Sequence, residues 1–364
     1  MELKEILSAL TLVGLAATSS PATAGNYTVN CGTNGDSSLV QNQLAAISGT
    51  YNTLTVTGTC VGDLDITQIN TLTITGLSLT GTISVYNATQ IALQGLTLYG
   101  QLIVTDRSSI TAANSTMNGG ITLARFSSGN FDKLTVTQWT DPTTGAGGGG
   151  ILCLQSSDCR FSNTTVTGLP SSDRSSPSTG INVGSTSRFN FGSGRISGFD
   201  WGVHVWNNSM AFFNPGCANL SIDSNRSIGV YVRDGGTVKL EGATPPLTSD
   251  CPAAVVIANN GDYGLLAEGG GLGFLYRAKV SGHVVDSLKV QNGSVVKVRS
   301  SSIAAATTSG RSARLKSNAH LWFDEEYYGP SAGSTFAGPV CLTNGSTVDT
   351  DNSSTTLTTV SSCP

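Results

Sequence analysis

One feature of this 364-residue chain restricts its fold more than any other: a block of about twelve residues recurs along nearly its whole length. Blocks start at Asp63, Thr82, Gln101, Gly120, Gly150, Gly180, Gly202, Gly229, Gly264, Ser287, Ser312 and Pro339, with successive spacings of 19, 19, 19, 30, 30, 22, 27, 35, 23, 25 and 27 residues. The second position holds Leu64, Ile83, Leu102, Ile121, Ile151, Ile181, Val203, Val230, Leu265, Leu288, Ala313 and Val340, all of them apolar. The fourth position, from Ile66 and Val85 to Leu315 and Leu342, is apolar throughout as well. Alternate positions of a strand face one side, so both columns point into a core.

Turn formers such as Asn87, Asp106, Asn207, Asp234, Asn292 and Asn344 follow each block strand, then small residues such as Ser108, Ser127, Ser209 and Ser346. Asn and Asp tolerate the left-handed bend that a tight corner needs. Position twelve carries Phe131, Phe161, Phe191 and Phe213 in four consecutive blocks, and Phe323 later. A third short strand follows in most repeats, as at Leu77–Leu79, Leu96–Leu98, Leu134–Val136, Leu220–Ile222 and Val255–Ile257. Three short strands per turn with fixed inward columns predict an all-β parallel β-helix of about twelve coils, a rod on the order of 55 Å long at one strand spacing per coil.

An open β-helix exposes a strand edge at each end and needs a cap. Residues 37–47 read as a capping helix, with Ser38 and Gln41 at capping-box spacing and Leu39, Val40, Leu44 and Ile47 for burial. The Ser/Thr-rich tail after Val348 reads as a last irregular coil or a loose terminus, and 138–149, 168–179 and 243–262 read as insertions.

Residues 6–17 form an apolar run too short to span a bilayer, and Ala22-Thr23-Ala24 supplies a small-x-small cleavage pattern. The expected organisation is a signal peptide at 1–24, an N-terminal cap at 25–60 and the β-helix at 61–364, in a secreted, periplasmic or cell-surface protein with no membrane span. Eight cysteines fall as neighbours along the chain: Cys31 and Cys60, Cys153 and Cys159, Cys217 and Cys251, Cys341 and Cys363. An even count in an exported chain implies four local disulfides, although order alone leaves about 105 pairings open. Cys153 and Cys159, at block positions four and ten, both face inward beside one bend and are expected to be joined.

Only 12% of residues are charged and the net charge is −4, with 46 Ser and 45 Thr supplying the polar surface. No Lys/Arg cluster suits a phosphate backbone, so nucleic acid is not an expected partner. No zinc spacing or cofactor motif occurs, so no metal or cofactor is expected. Asp63-Leu64-Asp65 lacks the further ligands of a calcium site, and Asp324-Glu325-Glu326 reads as a solvated turn. The oligomeric state is not set by the sequence.

The stretch VNCGTNGDSSLVQNQLAAISGTYNTLTVTGTCVGDLDIT, followed by coils of the form GVHVWNNS and GVYVRDGG, resembles secreted bacterial right-handed parallel β-helix repeat proteins of the pectate-lyase-like superfold. The resemblance covers essentially the whole mature chain. It implies the fold and leaves function open, because lyases, hydrolases, alginate epimerases, tailspikes and adhesins share this architecture. The Asn-Thr-Asp, Asp-Asp, His-Gly and Arg-Ile-Lys motifs of polygalacturonases are absent, as is the Asp-Pro-His-Asp of alginate epimerases.

Block positions three and five face outward and stack into a stripe of Asn182, His204, Trp206, Tyr231, Arg233, Glu268, Lys289 and Arg314. Aromatic rings beside amide and charged groups suit a sugar, with Arg and Lys favouring uronates and Trp206 as the expected anchor. One reading is therefore a non-catalytic extracellular rod that binds polysaccharide along this stripe. The other is a polysaccharide lyase or C5-epimerase, with His204, Tyr231 and Arg233 as base, acid and carboxylate-neutralising cation. A solvated face in which the rings pack on one another is the structural alternative to both. A second candidate face lies on the third strand, where Arg195, Ser221 and Lys279 are expected to stack beside Asp223.

Overall fold

The structure, a computed structural model, describes residues 24–47, 51–138, 149–170, 177–243, 255–323, 334–350 and 357–361. Each coil contributes one strand to each of three faces, and every strand lies parallel to its counterpart one coil on. The chain folds as a parallel β-helix. Sheet 1 runs in chain order from Leu64–Thr67 to Thr359–Val360 and has thirteen strands. Twelve are the block strands. The thirteenth comes from the Ser/Thr-rich tail, where Thr359 and Val360 pair with Val340 and Cys341.

Block position two is one unbroken register column from Leu64 to Val340, and position four is another from Ile66 to Leu342. Fully burying such a side chain contributes about 1.5–3 kcal/mol, and each coil adds two of them on this face alone. Sheets 2 and 3 are hydrogen-bonded into one bent surface, because Ser109–Asn118 and Ser128–Thr137 run around the corner between them. The bends fall on Asn114 and Lys133, at φ 51° and 53°. Between sheets 1 and 2 the predicted turn residues Asn87, Asp106, Asn207, Asp234, Asn292 and Asn344 all adopt φ between 48° and 56°.

Polar side chains line the inside of these corners. Ser108, Ser157, Ser187 and Ser209 are buried, and Ser108, Ser187 and Ser209 each accept a backbone N–H from the preceding coil, from Ala88, Ser157 and Ser187 respectively. Phe131, Phe161, Phe191 and Phe213 occupy one interior column of sheet 2 and are at most 3% exposed. Phe131 stacks on Phe161 at 4.5 Å between ring centroids, and Phe189 joins the ladder beside Phe191. Phe323 is likewise buried.

The helix Ser38–Ala46, α1, stands before the first coil with Val40 and Leu44 turned into the core. It departs from the expected capping box. Ser37 is the cap residue, and its hydroxyl donates to the Asp63 carbonyl, while Gln41 bonds both the N–H and the C=O of Asp65. These polar groups tie the helix to the first rung of sheet 1 rather than to its own N-terminus. Leu39 is 47% exposed, because nine residues present only one narrow buried stripe.

Cys31 is joined to Cys60, and Cys153 to Cys159 across one bend with 6.3 Å between Cα atoms. Cys217 and Cys341 are each disulfide-bonded. Their expected partners Cys251 and Cys363, the expected signal segment, the turn at 324–326 and most of the three insertions lie outside the described residues. No helix among the described residues is long and apolar enough to cross a membrane.

Candidate functional site

Sheet 1 brings the predicted stripe together. Asn182, His204, Tyr231, Leu266, Lys289 and Arg314 occupy consecutive rungs of one outward column. Arg233, Glu268 and Gln291 lie two residues on in their strands, and Trp206 lies two residues past His204, just beyond the end of Trp201–Val205. The Trp206 indole N–H donates to Asn182 Oδ1 at 2.8 Å, and its ring lies parallel to the His204 imidazole at 6.1 Å.

Two of the predicted residues are not exposed as expected. His204 is 5% and Tyr231 6% exposed, because a column that the repeat alignment omitted covers them. It consists of the residues just before each block, Thr179, Trp201, Ile228, Tyr263 and Asp286, which pair in register. Trp201 packs edge-on against His204 at 5.1 Å and against Tyr231 at 5.0 Å. Ile228, Tyr231 and Leu266, with Trp201 and Tyr263 beside them, form a small apolar cluster outside the main core.

The reason is a break in the ladder. Its pairings skip Gly180, Gly202, Gly229, Gly264 and Ser287, so strict alternation fails one residue before each inward column. At Gly202 and Gly229 a Cβ would lie 2.6–2.8 Å from the Asn225 or Asn260 amide, a neighbouring carbonyl and an isoleucine methyl. Glycine is required there, and the shift turns Trp201 and Tyr263 onto the outer face.

Burial sets the chemistry of the cluster. Desolvation, reinforced by the adjacent Arg233 charge, holds the His204 pKa down to about 3. The ring is neutral, and its Nε2 accepts from Arg233 Nε at 3.1 Å, so the bond assigns the proton to Nδ1. Burial and the Glu268 carboxylate together push the Tyr231 phenol above its ordinary range, and its hydroxyl donates to Glu268 Oε1. The other Glu268 oxygen accepts from Gln291 Nε2 at 2.5 Å. Arg233 also meets Asp234 at 3.4 Å.

The lower end of the stripe has separate partners. Lys289 sits over the Tyr263 ring at 4.7 Å and donates to its hydroxyl at 3.2 Å. Arg314 turns toward the fully buried Asp286 at 3.5 Å, which Arg311 also pairs at 2.8 Å. Beside Trp201 a cleft of about 210 Å³ is lined by Pro177, Asp200, Arg226, Ser227 and Asp262.

The second candidate face stacks in one column, with Arg195 beside Ser221 and Lys279 two rungs further on. Val256 comes between Ser221 and Lys279 in the register, and Lys279 stands exposed. Arg195 bonds Asp223 through Nε and Nη2, with Ser221 and Ser224 donating to the same carboxylate. Burial alone would raise the Asp223 pKa, but these donors outweigh it and lower it. It is a closed ion pair at the surface, and such pairs contribute little.

No family model and no curated protein matches the chain. Among solved structures it is similar to the A-module of a mannuronan C-5 epimerase from Azotobacter vinelandii, at 12% identity and a TM-score of 0.43, over 93% of this chain and 98% of that one. It is also similar to a double mutant of a periplasmic alginate epimerase, at 12% identity and a TM-score of 0.34, over 92% and 84%. With its three faces, parallel pairing and stacked interior columns, the chain is a parallel β-helix protein.

Proposed function

We propose that the protein is an exported rod whose sheet 1 outer face binds a uronate-containing polysaccharide without transforming it. One observation carries this reading. Trp201, Trp206 and Tyr263 are half-exposed on a single face, together with the half-exposed cations Arg233 and Lys289. Rings take the C–H face of a sugar, and the cations take its carboxylates. Disulfides support export, since they persist in oxidising compartments.

Elimination or epimerisation would ask His204 or Tyr231 to reach a substrate proton. Both are buried, His204 Nε2 is occupied by Arg233, and the Tyr231 hydroxyl is committed to Glu268. These bonds favour binding over chemistry at this face.

A glycan array followed by calorimetry on the hits tests the reading, with absorbance followed at about 235 nm for the unsaturated product of general-base elimination. Binding to uronans that falls about tenfold or more in Trp206→Ala, with no rise in absorbance, is the expected result. Unaltered binding by Trp206→Ala and Trp201→Ala would place the contact elsewhere, and product formation lost in His204→Gln would favour the enzyme.

A further inference from the structure

The outer face of sheet 2 carries a second ordered column, on a different side of the rod from the stripe. Rung by rung it reads Thr73, Ala92, Thr111 and Asn130 in the first half. After Arg160 and Asn190 it becomes Phe212, Lys239, Phe274, Lys297 and Trp322, alternating ring and ammonium over four rung spacings. All five are half-exposed. The Lys297 amine lies 3.4 Å from the Trp322 ring centroid and 5.9 Å from that of Phe274, and it has no carboxylate partner among the described residues. Lys239 pairs with Glu241 at 2.6 Å, and both line a cavity of about 240 Å³ at the Phe212 end.

We propose that this column is a second binding site for a polyuronate lying along the rod axis. The ladder spans about 19 Å, and like residues recur about every 10 Å, two strand spacings, which matches the repeat of two linked sugars in an extended chain. Each ring then meets one pyranose face, and Lys239 and Lys297 meet alternate carboxylates. Lysines act as point charges, without the planar fork that favours arginine for bidentate oxyanions. Charge complementarity selects an anionic polymer, because Lys239 and Lys297 outnumber Glu241 between Phe212 and Trp322, on a chain whose net charge is −4, and the carboxylate of Asp349 on the next rung marks the end of the site. The site stands independently of sheet 1, and with both occupied one rod would bridge two polymer chains.

The test is calorimetric titration of the full chain with oligogalacturonate, with dextran sulfate and neutral dextran as the other arms. In a Trp206→Ala background, which removes the sheet 1 anchor, the chain should still bind oligogalacturonate. Adding Lys239→Gln and Lys297→Gln should weaken that binding about tenfold or more and flatten its salt dependence. Lys297→Arg should retain most of it. Trp322→Leu, which leaves both charges, should weaken binding by removing a ring, and its melting curve separates this from misfolding. Undiminished binding in the double lysine variant overturns the inference, as does wild-type affinity for neutral dextran or dextran sulfate equal to that for oligogalacturonate. Loss of all binding in Trp206→Ala alone would overturn it too, while leaving the sheet 1 reading in place.

Discussion

At the scale of single residues, burial decides what a titratable group can do. His204 is neutral when folded because its pKa falls from 6.5 to about 3, whereas in the unfolded chain it protonates near 6.5. Between those values the unfolded state binds the extra proton. The stability this group contributes is thus complete above about pH 6.5 and is lost as pH falls toward 3, by roughly 3–5 kcal/mol if the whole shift is realised. Urea unfolding at pH 7.5 and at pH 4 should show the loss, and His204→Gln, which keeps an acceptor for Arg233, should lose less on acidification. Equal losses in the two proteins would mean that His204 is accessible to protons in the native state. The buried state of His204 was not legible in the sequence. Its outward position follows from alternation, but the cover comes from Trp201 on its own strand and Tyr231 one coil on, and the first of these lies beyond the break in the alternation.

At the scale of elements, interior ladders hold the coils in register. Phe191 is 1% exposed and packs between Phe161 and Phe213, at 6.5 Å and 6.0 Å. Phe191→Ala should cost about 3–5 kcal/mol, read as a lower urea midpoint at unchanged slope, since neighbouring rings fixed by their own strands cannot collapse into the cavity. A polar ladder occupies the corner between sheets 3 and 1. Asn225 accepts the Phe199 N–H and donates its amide to Asn260 Oδ1, which also accepts the Asn225 N–H, and Asn260 donates on to the Ile222 carbonyl. His283 continues the stack between the carbonyls of Asn260 and Ile257. Asn260→Ala should cost about 2–4 kcal/mol by the same urea midpoint, because it strands two buried donors and one acceptor at once; Asn260→Asp should cost at least as much near neutral pH, because its buried carboxylate cannot donate to the Ile222 carbonyl. The Phe column was legible because identical residues recur at one block position. The Asn225, Asn260, His283 ladder was not, because the residue type changes along the stack, although each member stands four residues before its block.

At the scale of the molecule, each coil touches only its neighbours, so stability accumulates along the rod rather than around one centre. The columns at positions two and four made the rod legible at this scale, since every coil must fill the same two interior places. Its ends have no such repetition, and the N-terminal end relies on α1 and on the bond between Cys31 and Cys60, 29 residues apart. Closing a loop of that size is worth on the order of 3–4 kcal/mol in the chain-entropy description. Neighbour-only coupling confines the effect of removing it. In Cys31→Ser/Cys60→Ser, hydrogen exchange should quicken in Asn26–Asn30, α1 and the first two or so coils, whereas amides of the Phe131 to Phe213 coils should keep their wild-type protection. The Cys153–Cys159 bond lies within that phenylalanine stack and closes only six residues, so Cys153→Ser/Cys159→Ser should quicken exchange locally at Ile151–Ser162 and leave the N-terminal end unchanged. Equal loss of protection along the whole rod in the first variant would mean that coils communicate beyond their neighbours, and stability would then have to be assigned to one cooperative core.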